Sequence, residues 1–222
     1  QHPEAPEALA ARFWLGKVAL ARGDRVRAEA EWQAVVAQAS GRFLGERARM
    51  LLQGEDLTDL PETLDLLDPE AGRAEAEEWL RARLGITGTH PLSPSALWED
   101  PLWQAGAEAW RVGWVEEARG LWTVLRQRVE GDPLALYALA LAFREQGADA
   151  LAVQAAARLL ARLRVDPREA PPFLARLAYP VPYLDRVLEE ARRHRLSPLL
   201  LYAVMRQESL FDPHAVSSAR AR

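Results

Sequence analysis

Ser197-Pro198-Leu199-Leu200-Leu201-Tyr202-Ala203-Val204-Met205-Arg206-Gln207-Glu208-Ser209 runs directly into Leu210-Phe211-Asp212-Pro213-His214-Ala215-Val216-Ser217-Ser218. Serine suits a helix N-cap and proline the first helical position, so the spacing predicts a helix from Ser197 to about Ser209. Leu201, Val204 or Met205, and Glu208 recur at i, i+3 or i+4, and i+7, and so share one face. That face is apolar except for Glu208. Burial there, and the negative end of the helix dipole, would both favour the protonated carboxyl. A carboxylic acid that keeps its proton near neutral pH is suited to general acid catalysis. The plainer reading of a lone glutamate at this place is a helix-end carboxylate reaching solvent.

The surroundings of Glu208 favour the first reading. Tyr202 to Ser209, then Phe211-Asp212-Pro213, Ala215, Ser217 and Ala219, resemble the opening motif of the soluble lytic murein transglycosylases. That family carries a lysozyme-like catalytic domain behind long α-superhelical domains, and cleaves the MurNAc-GlcNAc glycosidic bond of peptidoglycan. The resemblance implies that Glu208 is the catalytic acid/base and that Ser217 contacts the glycan near the reacting centre. One glutamate then protonates the glycosidic oxygen and afterwards takes the proton of the sugar's own 6-hydroxyl. The 6-oxygen closes onto the anomeric carbon and leaves a 1,6-anhydromuramoyl end without consuming water. The resemblance further implies a periplasmic or cell-envelope location, peptidoglycan glycan strands as partner, and no cofactor. The family has glycine at the place of Arg220, and its motif continues into Gly-Leu-Met-Gln where this sequence ends at Arg222. The 222-residue chain by itself is therefore expected not to cleave peptidoglycan. The alternative is a helical-repeat interaction scaffold, binding other cell-wall proteins, with a degenerate transglycosylase remnant.

Outward from this stretch, glycine and proline punctuate a sequence whose apolar spacing is helical nearly throughout. Helices are expected over 7–21, 25–39, 43–52, 71–84, 101–112, 114–129, 133–146, 148–164, 166–178 and 183–195. One or two short ones are expected around Pro61 and a single turn at 95–98. Trp14-Leu15-Gly16, Ala19, a Gly23-Asp24 turn, Ala28 and Trp32 resemble a tetratricopeptide helix pair, and the 101–164 block repeats the pattern. Each pair carries an apolar face that it cannot bury alone. The expected fold is all-α: a superhelix of stacked antiparallel helix pairs over residues 1–178, then the first helices of a lysozyme-like domain over 179–222, entered through Tyr179-Pro180-Val181-Pro182.

Composition excludes several classes. The chain is 49% hydrophobic and 27% charged, ordinary for a globular protein. A net charge of −4 and a pI near 5.7 argue against a nucleic-acid partner. No apolar run has the roughly 20 residues of a membrane span. There is no cysteine, hence no disulfide or thiolate metal site. His2, His90, His194 and His214 show no ligand spacing, so no metal site is expected. Trp98, Trp103, Trp110, Trp114 and Trp122 can be read as sugar-stacking residues or as filling between packed helices, and their helical spacing favours filling. The basic run Arg192 to Arg195 reads as a solvated helix end. Asp212, before Pro213, reads as a turn or cap residue rather than a second catalytic acid.

Overall fold

The computed structural model describes residues 6–39, 43–55, 68, 70–88, 92–213 and 215. The helices expected around Pro61 fall largely outside these residues, as do His2, His90, His214, Ser217 and Arg220. Among the described residues the protein is all-α, with twelve helices and no strand. The chain divides into two compact units, Gln1–Pro61 and Glu62–Arg222. This division is one of packing. The boundary expected between residues 178 and 179 falls within the second unit.

The first unit holds α1 (Pro6–Ala21), α2 (Arg25–Ala39) and α3 (Phe43–Gln53). In α1 the buried stripe is Leu9, Phe13, Gly16 and Ala19, whereas Leu15 and Leu20 are exposed. Small residues win the inner positions because a tryptophan lies against them. A Cβ on Gly16 would come within 2.4 Å of Trp32 Nε1. The Trp32 indole donates to the Phe13 carbonyl at 3.2 Å. Ala28, Val35 and Ala48 complete this core, and Phe43 is exposed.

The second unit begins with α4 (Arg73–Leu84) and the single turn α5 (Ser95–Trp98). Two helical hairpins follow: α6 (Pro101–Arg111) with α7 (Val115–Arg128), and α8 (Pro133–Glu145) with α9 (Asp149–Leu163). Asp100 and Asp132 cap α6 and α8, accepting from the Leu102 and Leu134 amides, each with proline at the first helical position. The first hairpin repeats the α1–α2 contact residue for residue. A Cβ on Gly106 would meet Trp122 Nε1 at 2.3 Å, and the Trp122 indole donates to the Trp103 carbonyl at 3.3 Å. The turn glycines Gly113 and Gly147 lie 34 residues apart, the tetratricopeptide period. In the second hairpin the glycine and tryptophan positions are both alanine, Ala140 and Ala156, each buried.

Trp103 stacks on Trp122 at 5.4 Å, with Trp98, Trp110 and Phe143 around them, so these four tryptophans do fill space between helices. The same core continues through α4 to α10 (Pro172–Ala178). A helix was expected from 166, but α10 begins only at Pro172. Residues ahead of a proline avoid the helical region, and Pro171-Pro172 supplies two such sites in succession. Asp166 instead accepts from the Arg168 amide at 2.9 Å and closes a local turn. Two further helices, α11 (Leu184–His194) and α12 (Pro198–Ser209), end the described structure.

Candidate functional site

The helix read from Ser197 onward is α12. Pro198 occupies its first position as expected, but the Ser197 side chain makes no capping bond, and its buried Oγ has no partner among the described residues. Tyr202, Leu201 and Met205 form the inner face, packed with Val187 of α11, Val153 of α9 and Phe211. Val204 is 50% exposed, and Glu208 is exposed in the last turn. The expected apolar face is thus split. Leu201 and Met205 turn inward, while Val204 and Glu208 face out, and the described residues do not bury the carboxylate.

The side chains of Tyr202 and Arg206 fix the helix that carries Glu208. The Tyr202 hydroxyl donates to the Pro182 carbonyl at 3.0 Å, and burial pushes this phenol up to about 12. Arg206 donates to the Ala178 carbonyl at 2.6 Å and lies over the Tyr179 ring at 4.3 Å. Ser209 Oγ donates to the Met205 carbonyl at 3.2 Å. The arginine of the Met205-Arg206-Gln207-Glu208 motif therefore ties α12 to the end of α10.

The turn after Glu208 is strained and clamped. Leu210 and Phe211 both take positive φ, 51° and 67°, in the left-handed region that costs a non-glycine residue about 1–2 kcal/mol. Phe211 is buried edge-on to Tyr202, 6.2 Å between centroids. Asp212 donates its amide to the Ser209 carbonyl at 3.1 Å, the turn role expected for it. Its carboxylate lies 2.6 Å from Arg119 of α7, and the side chain is only 8% exposed. Arg119 was not singled out in the sequence, since an ion pair across so long a separation leaves no periodic trace.

Opposite Glu208 the α6–α7 turn forms the other wall of a cleft of about 1140 Å³. Gly113, Trp114, Glu116 and Glu117 line one side, and Gln207, Glu208 and Ser209 the other. Trp114 is 65% exposed, so the filling role expected of all five clustered tryptophans does not extend to it. The basic run from Arg192 is exposed at the end of α11, as expected. Among the described residues no group of histidine or acidic side chains has the geometry to hold a metal ion, and no helix is long and apolar enough to cross a membrane.

Residues 185–222 match the family model of the transglycosylase SLT domain. The match covers nearly all of α11, all of α12 and the strained turn that follows. It identifies this stretch with a lysozyme-like domain of transglycosylase type, consistent with the lytic transglycosylase family. That family is associated with the cell wall and acts on peptidoglycan. No curated protein matches the chain.

Proposed function

We propose that the chain belongs to a lytic transglycosylase of the periplasm or cell envelope. Residues 179–222 are then the amino-terminal part of its catalytic domain, and the hairpins before them a tetratricopeptide-like superhelix. The observation that carries this reading is the family match centred on α12, whose last turn presents an exposed glutamate to an open cleft. Glu208 is the acid/base. Its carboxyl proton passes to the glycosidic oxygen as the bond from the MurNAc anomeric carbon breaks. The carboxylate then accepts the proton of the MurNAc 6-hydroxyl as the 6-oxygen bonds to that carbon. The GlcNAc leaves with a free 4-hydroxyl, the MurNAc ends as a 1,6-anhydro ring, and Glu208 regains its proton. One group acting twice removes any need for a second catalytic acid, consistent with the engagement of Asp212 by Arg119. Ser217 is the glycan contact in this reading.

In the full natural protein, Glu208→Gln is expected to abolish release of anhydro-muropeptides from purified peptidoglycan while the far-ultraviolet spectrum stays unchanged. Near-normal release would remove Glu208 from the role. Ser217→Ala is expected to cost about tenfold, the loss of one substrate hydrogen bond.

A further inference from the structure

We propose that Trp114 is a sugar-stacking platform, holding one neutral aminosugar ring of the glycan strand in the cleft that Glu208 faces. This rests on the reading of that cleft as a glycan site.

The fold does not account for Trp114. Each of the three hairpins has a glycine turn followed by the residue that precedes its second helix. In α1–α2 that residue is Asp24, whose carboxylate accepts from the Arg27 amide at 3.0 Å. In α8–α9 it is Ala148, which is small and buried. In α6–α7 it is Trp114, which makes no side-chain capping bond and leaves its ring 65% exposed. A tryptophan here gives up a cap and exposes a large apolar surface. Among the described residues its ring makes no aromatic, cationic or hydrogen-bonding contact. The other strongly exposed tryptophan, Trp14, is different: it meets Phe13 edge-on at 5.7 Å, with Lys17 over its ring at 5.7 Å.

The cleft supplies the rest of the chemistry. A pyranose presents C–H bonds on one face and hydroxyls around its edge. An exposed indole offers a flat surface to the first and an unpartnered N–H to the second. Glu116, Glu117 and Gln207, in the same cleft, can accept from hydroxyls at the ring edge. A lining with several carboxylates disfavours anionic groups and so selects an uncharged N-acetylated sugar over one bearing a free acid. A volume of about 1140 Å³ exceeds that of a small-ligand pocket and admits more than one ring.

Chitotetraose, a neutral chain of N-acetylated aminosugars, is the probe, titrated calorimetrically into the wild-type protein and three variants. Trp114→Ala is expected to weaken binding about tenfold, and Trp114→Phe to retain most of it. Trp114→Asp restores the cap seen at Asp24 and is expected to raise Tm by about 2 °C while losing the sugar, which separates binding from folding. The acid/base assignment is tested separately, by release of anhydro-muropeptides, so its failure is distinguishable from a failure of the stacking role. Equal affinity of Trp114→Ala and wild type, or no binding by wild type, would overturn the proposal. So would a Trp114 indole protected from oxidation in the full natural protein without sugar, since the protein itself would then cover the ring.

Discussion

Gly16 and Gly106 show how single residues set the helix spacing in the two Gly/Trp hairpins. In each, a Cβ would overlap the indole of the paired tryptophan. Gly106→Ala is expected to destabilise the protein by about 1–3 kcal/mol, measured by denaturant unfolding, because Trp122 is fully buried and cannot move away. Unchanged stability would mean that the indole is free to shift. The sequence placed Trp32 in a tetratricopeptide-like pair and favoured a filling role for Trp122. The repeat pattern named Gly16 but not its contact with the indole, because a glycine adds nothing to an apolar stripe. Trp114 was illegible for the opposite reason. Its spacing from Trp110 and Trp122 is helical, but its place just after Gly113 puts it at the turn, outside the packed faces. The split at Glu208 has a similar origin: i, i+3 and i+4 neighbours share a broad face, and only contact with Val153 and Val187 decided which edge turned inward.

Among the elements, helix ends carry the clearest expectations. The Asp100 carboxyl feels burial, which works against ionisation, but hydrogen bonds from the Leu102 amide and Arg128 outweigh it and hold the carboxyl below its ordinary value. A depressed folded value means that the contribution is present above the unfolded value of about 3.9 and is lost as pH falls through the folded one. Asp100→Ala is expected to cost about 1 kcal/mol at neutral pH, with the difference from wild type shrinking below about pH 4. A constant difference down to strong acid would show that the cap does not act through its charge. At the other end of the unit, Arg119 and Asp212 hold the turn that follows α12. Arg119→Met is expected to cost about 1–3 kcal/mol, since it removes the guanidinium from a nearly buried carboxylate. It is also expected to lower transglycosylase activity of the full protein by loosening the backbone after Glu208. Full activity would show that the glutamate is held by α12 alone. Most helix bounds were legible from proline and glycine stops. The start of α10 was not, because Asp166-Pro167 imitates a cap and only Pro171-Pro172 decides against it.

For the whole molecule, two units with separate cores predict two thermal transitions by calorimetry. Trp32→Ala removes a buried indole from the first unit and is expected to lower one transition while leaving the other in place. A single transition that shifts as a whole would join the units into one cooperative body. The all-α class was legible because helical periodicity is sustained between stops, and the stretch matched by the transglycosylase SLT domain because its motif is dense from Tyr202 onward. The packing division at Pro61 was not, because it reflects how few contacts cross a point and leaves no mark on composition. The central claim is that Glu208 drives an internal closure of the sugar rather than attack by water. Its most direct test is to digest peptidoglycan with the full natural protein in water enriched in heavy oxygen and weigh the new MurNAc ends. The account predicts 1,6-anhydro ends that carry no label. Reducing ends bearing heavy oxygen, or no cleavage at all, would contradict it.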